Sequence, residues 1–124
     1  MMKYGTRELN GASCKVLKPA ALPAHMHNDI REITKVEVPA ELRRQGLATA
    51  LMESVCKEAD KFKMVLILTV EPYGDGTMSR EELVNWYATT FNFHELPGQS
   101  GLMARMFSIY IKTPAARAIE EVSA

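Results

Sequence analysis

The chain has 124 residues, of which 47% are hydrophobic and 24% charged, a composition typical of a globular domain. That length supplies one hydrophobic core and not two, so we expect a single domain over residues 1–124. The 15 basic and 15 acidic residues give a formal net charge of zero. This argues against nucleic acid as a partner, because non-specific binding to it needs a basic surface. No apolar run is long enough to span a membrane and no signal segment is visible, so we expect a cytoplasmic protein without a membrane partner.

The cysteines and histidines do not form a recognisable reactive or metal-binding pattern. Cys14 and Cys56 are too few for a disulfide scaffold, and we expect buried, reduced thiols. A cysteine nucleophile is the alternative. His25 and His27 lie in a predicted loop and lack the third and fourth ligands of a metal site. We therefore expect no metal.

The first part of the chain predicts strands and one loop. Residues 1–12 are polar and hold at most a short strand, and weak alternation over 13–17 predicts a second strand. Two prolines interrupt residues 19–29, which predicts a loop. Residues 33–38 alternate and are rich in β-branched side chains, so they predict a third strand. That alternation places Thr34, Val36 and Val38 on one face, and Ile33, Lys35 and Glu37 on the other.

A helix and a buried strand come next. Residues 46–62 carry apolar side chains at helical spacing, and residues 64–70 form the continuous apolar run of a strand buried on both faces. Strand, helix and strand in succession predict a βαβ unit with parallel strands and a right-handed crossover. The predicted core-facing stripe of the helix consists of Leu47, Leu51, Val55, Ala59 and Phe62.

The last part of the chain begins with the turn-rich residues 71–77. Ser79 and Glu82 have the spacing of a capping box, in which each side chain satisfies a backbone N–H at a helix start. The helix that follows carries Leu83, Val84, Tyr87 and Phe91 on one side. Two final strands are predicted over 93–96 and 102–111, with a turn at 97–101 and a tail at 112–124.

The segment between the third predicted strand and the first helix, residues 39–48, predicts an anion site. The first backbone N–H groups of a helix have no intrahelical acceptor, and the helix dipole adds partial positive charge there. Gly46 has no Cβ to keep an anion away from the backbone. Arg43 and Arg44 supply forked donors suited to phosphate oxygens. A Walker loop and a dinucleotide fingerprint are excluded, because Gly-Lys-Ser/Thr and GxGxxG are both missing.

The six residues 43–48, Arg-Arg-Gln-Gly-Leu-Ala, resemble the pyrophosphate-binding loop of the GCN5-related N-acetyltransferases, Arg/Gln-x-x-Gly-x-Gly/Ala. The resemblance covers residues 32–107 as a core, with a variable N-terminal part at 1–31. It implies an α/β fold with a mixed α+β sheet, in which a central parallel strand pair splays apart between flanking helices. Because only 32 residues precede Ile33, we expect the N-terminal helices of that family to be reduced or absent.

The resemblance also implies acetyl-CoA as cosubstrate, with its pantetheine arm paired to the backbone of the strand at 36–38. The Val38 N–H would then point at the acetyl carbonyl, where a preorganised donor stabilises the developing oxyanion. No metal is implied. The cofactor-binding residues that the resemblance implies are Val36, Glu37, Val38, Arg43, Arg44, Gln45, Gly46, Leu47, Ala48 and Thr49.

Two catalytic groups follow from the resemblance. Glu32 matches the base of the histone-acetylating relatives, with Glu37 as its competitor, since the attacking amine must lose a proton. Tyr87 matches the tyrosine that protonates the departing thiolate, with Tyr73 as the substitute. Two features depart from the family pattern Tyr-x-x-x-Gly-Phe: Asn92 replaces the glycine, and Tyr87 stands one residue further from the following phenylalanine.

The implied function is an N-acetyltransferase that moves acetyl from acetyl-CoA to a primary amine by direct nucleophilic attack. The alternative is a non-catalytic module of the same fold that binds CoA or a protein partner. A scaffold that binds no CoA is a third interpretation. The shortened N-terminal part leaves the acceptor side open or completed by a second copy in a homodimer. Nothing in the sequence distinguishes a small-molecule amine from a lysine side chain or a protein N-terminus.

Overall fold

The computed structural model describes residues 2–42, 45–71, 78–98 and 101–107. They form one six-stranded mixed sheet of order β1-β2-β3-β4-β6-β5, with two α-helices. The strands are β1 Gly5–Leu9, β2 Ala12–Leu17, β3 Ile30–Glu37, β4 Val65–Thr69, β5 His94–Glu95 and β6 Leu102–Arg105. The helices are α1 Leu47–Phe62 and α2 Arg80–Phe91, and two short 3-10 helices span Ala24–Met26 and Ala40–Leu42.

The N-terminal part is a β-hairpin. Asn10 and Gly11 connect β1 to β2 with φ values of 52° and 95°, as the two-residue turns of hairpins require. A Cβ on Gly11 would lie 2.6 Å from Cδ1 of Leu42, so this turn packs closely against the segment that leads to α1. Residues 2–42 contain no α-helix, which confirms that the N-terminal helices are absent from this range.

Strand β3 contains a β-bulge that the sequence pattern did not predict. Lys15 pairs with Thr34 but Ser13 pairs with Glu37, so two β3 residues oppose one β2 residue. Lys35 takes up the extra residue with φ of 54°. As a result Ile33 and Val36 both enter the core, with 2% and 8% of their surface exposed. The predicted faces of this strand are therefore wrong: the inserted residue moves Ile33 to the face of Val36, and Thr34 to the opposite one.

The central pair β3 and β4 is parallel, as predicted, and splays apart. Its pairs are Ile30 with Val65, Arg31 with Leu66, and Glu32 with Ile67. Beyond Glu32, β3 stays paired with β2 as far as Glu37, while β4 pairs with β6 as far as Thr69. The two strands thus hold each other only at their beginnings, and among the described residues no strand fills the gap between their ends.

The second helix begins and ends as its residues predict. Ser79 Oγ accepts a hydrogen bond from the Glu82 N–H at 3.1 Å, and Glu82 Oε1 accepts one from the Ser79 N–H at 3.3 Å. Asn92 ends α2 in the left-handed conformation, with φ of 63°. Asparagine is one of the few residues that adopt this conformation readily, so it replaces glycine here without altering the helix end.

Both helices pack on one face of the sheet. Arg105 of β6 forms a two-pronged ion pair with Asp60 of α1 at 3.0 Å, and its Nε donates to the Phe91 carbonyl at the end of α2 at 2.9 Å. One apolar cluster joins both helices to β2, β3, β4 and β6. In the part of the chain that the structure describes, no α-helix covers the opposite face.

None of the described helices is long and apolar enough to cross a lipid bilayer.

Candidate functional site

The N-terminus of α1 has none of the features that neutralise a helix start. Gly46 is its N-cap in the left-handed conformation, with φ of 74° and ψ of 15°, and no side chain caps the helix. No acidic residue lies in the first turn. Helix α2 differs on both points, with its capping box and with Glu81 and Glu82 in the first turn. The unneutralised partial charge at the start of α1 favours an anionic ligand there.

The space in front of Gly46 is open. A Cβ built on Gly46 would have no heavy atom within 4 Å, and Gln45 and Gly46 are both exposed. The predicted cofactor residues Leu47, Ala48 and Thr49 form the first turn of α1 and are half-buried. Their backbone therefore meets the requirement of a cradle that a phosphate can approach closely. Arg43 and Arg44 lie outside the described residues.

The gap between β3 and β4 opens toward this helix start. Helix α1 follows the carboxyl end of β3, the same end at which β3 and β4 separate. Ligands of open α/β sheets bind beyond the carboxyl ends of the strands. Val36 and Val38 lie along this part of the chain, with Val38 packed against the apolar cluster.

The two candidate bases lie at different places along β3. Glu32 is half-buried and belongs to the last pair between β3 and β4. Glu37 is exposed and pairs with Ser13 of β2. Five residues of strand separate them, which is about 16 Å at the usual rise. Only Glu32 lies at the point where the gap begins.

Glu32 is also distant from Val38, which directly follows β3. Six residues of strand amount to roughly 20 Å before any shortening by the bulge, too far for a base and an oxyanion donor to act on one carbonyl carbon. Glu32 as base requires a carbonyl position nearer to the bulge at Lys35 and Val36.

Tyr87 lies on the helix-covered face, inside the aromatic packing of α2. It is 7% exposed, and its ring centroid lies 4.8 Å from that of Trp86, 6.4 Å from that of Phe91 and 5.7 Å from that of Phe93. The helix is a regular α-helix from Arg80 to Phe91, so no bulge absorbs the extra residue before Phe93. The substitute, Tyr73, lies outside the described residues.

The cysteines have the environment of structural thiols. Cys14 and Cys56 are free and buried, and burial raises the pKa of each thiol from 9.0 to about 11. A nucleophilic thiolate needs the opposite shift. His27 Nε2 hydrogen-bonds the Leu22 carbonyl at 2.8 Å, within its own loop. Among the described residues, no group of three or more histidine, cysteine or carboxylate side chains is arranged to hold a metal ion.

Thr34 is a candidate that sequence reasoning missed. In the described part of the chain, its Oγ1 is the one buried side-chain nitrogen or oxygen atom without a hydrogen-bond partner. Leaving a buried hydroxyl unsatisfied costs about 1–3 kcal/mol, so such atoms need an explanation. A threonine in a strand is an ordinary residue, and only the pairing of β3 reveals that Thr34 lies just beyond the last pair with β4.

Solved structures that resemble this one include an anti-CRISPR protein and an N-acetyltransferase. The crystal structure of the anti-CRISPR protein AcrVA5 matches with a TM-score of 0.63 and 24% identity, covering 84% of this chain and 99% of AcrVA5. YhbS from Escherichia coli, a GNAT family N-acetyltransferase crystallised in complex with CoA, matches with a TM-score of 0.52 and 13% identity. That match covers 78% of this chain and 52% of YhbS. No protein-family model and no curated protein matches the sequence.

The class of fold follows from the splayed parallel pair, the uncapped helix start beside it and these matches. The chain has the fold of the GCN5-related N-acetyltransferases, without α-helices in residues 2–42.

Proposed function

We propose that this protein is an acetyl-CoA-dependent N-acetyltransferase that acetylates a primary amine by direct attack. The observation that carries the proposal is the start of α1: an uncapped helix N-terminus behind an exposed glycine, at the end where β3 and β4 separate. The YhbS structure, which shares the fold, contains bound CoA, and this supports acetyl-CoA as the anion that binds there.

Different residues bind different parts of acetyl-CoA. Backbone N–H groups of residues 45–49 hold the pyrophosphate, and Gly46 permits its close approach. Arg43 and Arg44 add fixed positive charge. The backbone of residues 36–38 pairs with the pantetheine arm in the gap that β4 leaves. These residues place the thioester against β3.

The residues of this chain take a proton from the amine and stabilise the oxyanion that forms at the thioester carbonyl. Glu32, at the closed end of the gap, accepts the proton that the amine loses as its nitrogen forms the new C–N bond. Backbone N–H groups near the bulge at Val36 stabilise the negative charge that develops on the carbonyl oxygen. This position replaces the predicted one at Val38, since Glu32 then lies roughly 13 Å or less along the strand.

The departing sulfur needs a proton as the C–S bond breaks. Tyr87 is the proposed donor, because α2 carries it on the face of the sheet that the helices cover. Its ring is held there by Trp86, Phe91 and Phe93. A phenol has an ordinary pKa of about 10 and can donate a proton to a thiolate near neutral pH.

Two other functions are distinguishable from this one. A non-catalytic module would bind CoA without transferring acetyl. A protein that acts on a CRISPR system is the second alternative, and the likeness to the anti-CRISPR protein AcrVA5, which is matched over 99% of its length, favours a protein component of such a system as its partner. A plasmid-interference assay with and without this chain tests that partner directly, because loss of interference supports it and unchanged interference contradicts it.

The test of the proposed function is acetyl transfer itself. Radiolabelled acetyl-CoA is incubated with the protein and one of three amines: poly-L-lysine, spermidine, or a lysine-free peptide with an open N-terminus. We expect labelled product with at least one amine, and a strong decrease for Glu32→Gln. Binding of acetyl-CoA without transfer to any of the three would support the non-catalytic module instead.

A further inference from the structure

Thr34 lies between Glu32, the proposed base, and the bulge at Val36, whose backbone N–H groups are the proposed oxyanion donors. It follows Glu32 by two residues on the same face of β3 and directly precedes the bulge at Lys35. Its partner across the sheet on one side is Lys15 of β2. On the other side, the pairing with β4 has ended two residues earlier. Thr34 is therefore the first residue beyond Glu32 on the face opposite the helices.

The hydroxyl of Thr34 has no protein partner in this position. The residue as a whole is half-buried while its Oγ1 is buried, so its remaining exposed surface belongs to other atoms. Rotation about χ1 exchanges the hydroxyl and the methyl group between staggered positions. The hydroxyl can therefore turn toward the gap when a partner is present there.

The spacing of Glu32 and Thr34 suits one bridging water. Residues i and i+2 of a strand lie about 6–7 Å apart on the same face. Two consecutive hydrogen bonds through a water span about 5–6 Å between the outer atoms. A direct hydrogen bond between the two side chains is not present.

We propose that Thr34 is a positioning residue for proton transfer: its hydroxyl orients the water through which the attacking amine passes its proton to Glu32. The water accepts hydrogen bonds from the Thr34 O–H and from the amine N–H, and donates one to the Glu32 carboxylate. As the nitrogen lone pair forms the C–N bond, the amine proton moves to the water and a water proton moves to Glu32. Thr34 neither gains nor loses a proton. The inference rests on the proposed function.

The test compares Thr34→Val, which keeps the shape and removes the hydroxyl, with Thr34→Ser, which keeps the hydroxyl. The control is Thr6→Val, an exposed threonine on β1. Rates are measured with the fastest amine among poly-L-lysine, spermidine and the lysine-free peptide. We expect Thr34→Val to lower kcat on the order of tenfold or more, below the ~10²–10⁴-fold effect of losing the base itself. Thr34→Ser should retain most of the rate, and Thr6→Val should equal the wild type.

Two further readouts separate this role from a structural one. Thr34→Val should bind acetyl-CoA with the wild-type Kd. Its Tm should equal or exceed that of the wild type, because only an unpaired buried hydroxyl is lost. In a Glu32→Gln background, Thr34→Val should cause no further decrease, since both residues act on one proton.

Four results would overturn the inference. A wild-type kcat for Thr34→Val would remove the role, and a weakened acetyl-CoA Kd would assign Thr34 to cofactor binding instead. Additive decreases of kcat in the double variant would show that Thr34 and Glu32 act independently. Absence of transfer by the wild type would overturn the proposed function and this role with it, and is distinguishable because it precedes any comparison of variants.

Discussion

Glu32 of β3 and Ile67 of β4 are the last residues to pair between the two parallel strands. Each strand continues past this pair with its other neighbour, β2 or β6. The pair therefore marks the closed end of a gap whose open end faces the start of α1. The carboxylate of Glu32, the unpaired hydroxyl of Thr34 and the bulge at Lys35 all lie within five residues of this closed end.

Tyr87→Phe is expected to lower turnover by about 10²–10⁴-fold, the usual effect of removing a positioned general acid. The ring keeps its packing, so the free energy of unfolding should change by about 1 kcal/mol or less. Steady-state rates and thermal denaturation measure the two effects. Tyr4→Phe, a change at a 46% exposed tyrosine, is the control. Full activity in Tyr87→Phe would transfer the role to Tyr73 or to water.

The thiols of Cys14 and Cys56 should resist modification in the folded protein at pH 8. Burial raises the pKa of each from 9.0 to about 11, so little thiolate forms and access is blocked. Labelling with a chromogenic disulfide should be slow in buffer and complete in denaturant. Rapid labelling of one thiol in the native state would revive the cysteine nucleophile.

The same shifts predict a loss of stability at high pH. Each thiol has a higher pKa in the folded state, so the unfolded chain releases its proton first as the pH rises. The stabilising contribution is complete below about pH 9 and disappears as the pH rises to about 11. Denaturant unfolding at pH 8, 9 and 10 should give a decreasing free energy. A decrease of equal size in a variant with both cysteines replaced by alanine would show that other groups cause it.

Asp60→Asn should destabilise the protein much more than Glu58→Gln. Both acids lie on α1 and form two-pronged pairs with arginine, but the Asp60–Arg105 side chains are 13% and 9% exposed, against 28% and 22% for Glu58–Arg7. Removing one partner of a fully buried pair costs about 3–5 kcal/mol, and exposed pairs contribute roughly 0–1 kcal/mol. Both pairs lie between these limits, with Asp60–Arg105 nearer the buried one. Urea denaturation measures both variants. Equal effects would contradict the assigned role of Arg105 in joining both helices to β6.

The elements that the sequence predicts well are those with local causes. The capping box of Ser79 and Glu82 and the helical stripe of α1 depend on residues within a few positions of each other. The parallel order of β3 and β4 follows from the short βαβ connection. These local signals were sufficient for the class of fold, and they are also the basis on which the anion site at the start of α1 is proposed.

The parts that the sequence does not predict depend on pairing between distant residues. The bulge at Lys35 exists because β3 follows the register of β2, and alternation alone therefore placed Ile33 on the wrong face. The partnerless hydroxyl of Thr34 and the ion pair of Arg105 likewise require knowledge of which strands and helices adjoin. The resemblance to the acetyltransferases was enough to name Glu32 as a candidate base. It could not show that Glu32 belongs to the last pair between β3 and β4.

Calorimetric titration of three proteins with acetyl-CoA tests whether the start of α1 binds the pyrophosphate. Gly46 and Gly98 have φ values of 74° and 76°, and a Cβ on either would have no neighbour within 4 Å. Alanine therefore imposes the same backbone strain, roughly 1–2 kcal/mol, at both positions. We expect the wild type and Gly98→Ala to bind acetyl-CoA with the same Kd. Gly46→Ala should bind at least about tenfold more weakly, because its Cβ would occupy the approach to the backbone N–H groups. Equal affinities of the two alanine variants, or no binding by the wild type, would contradict it.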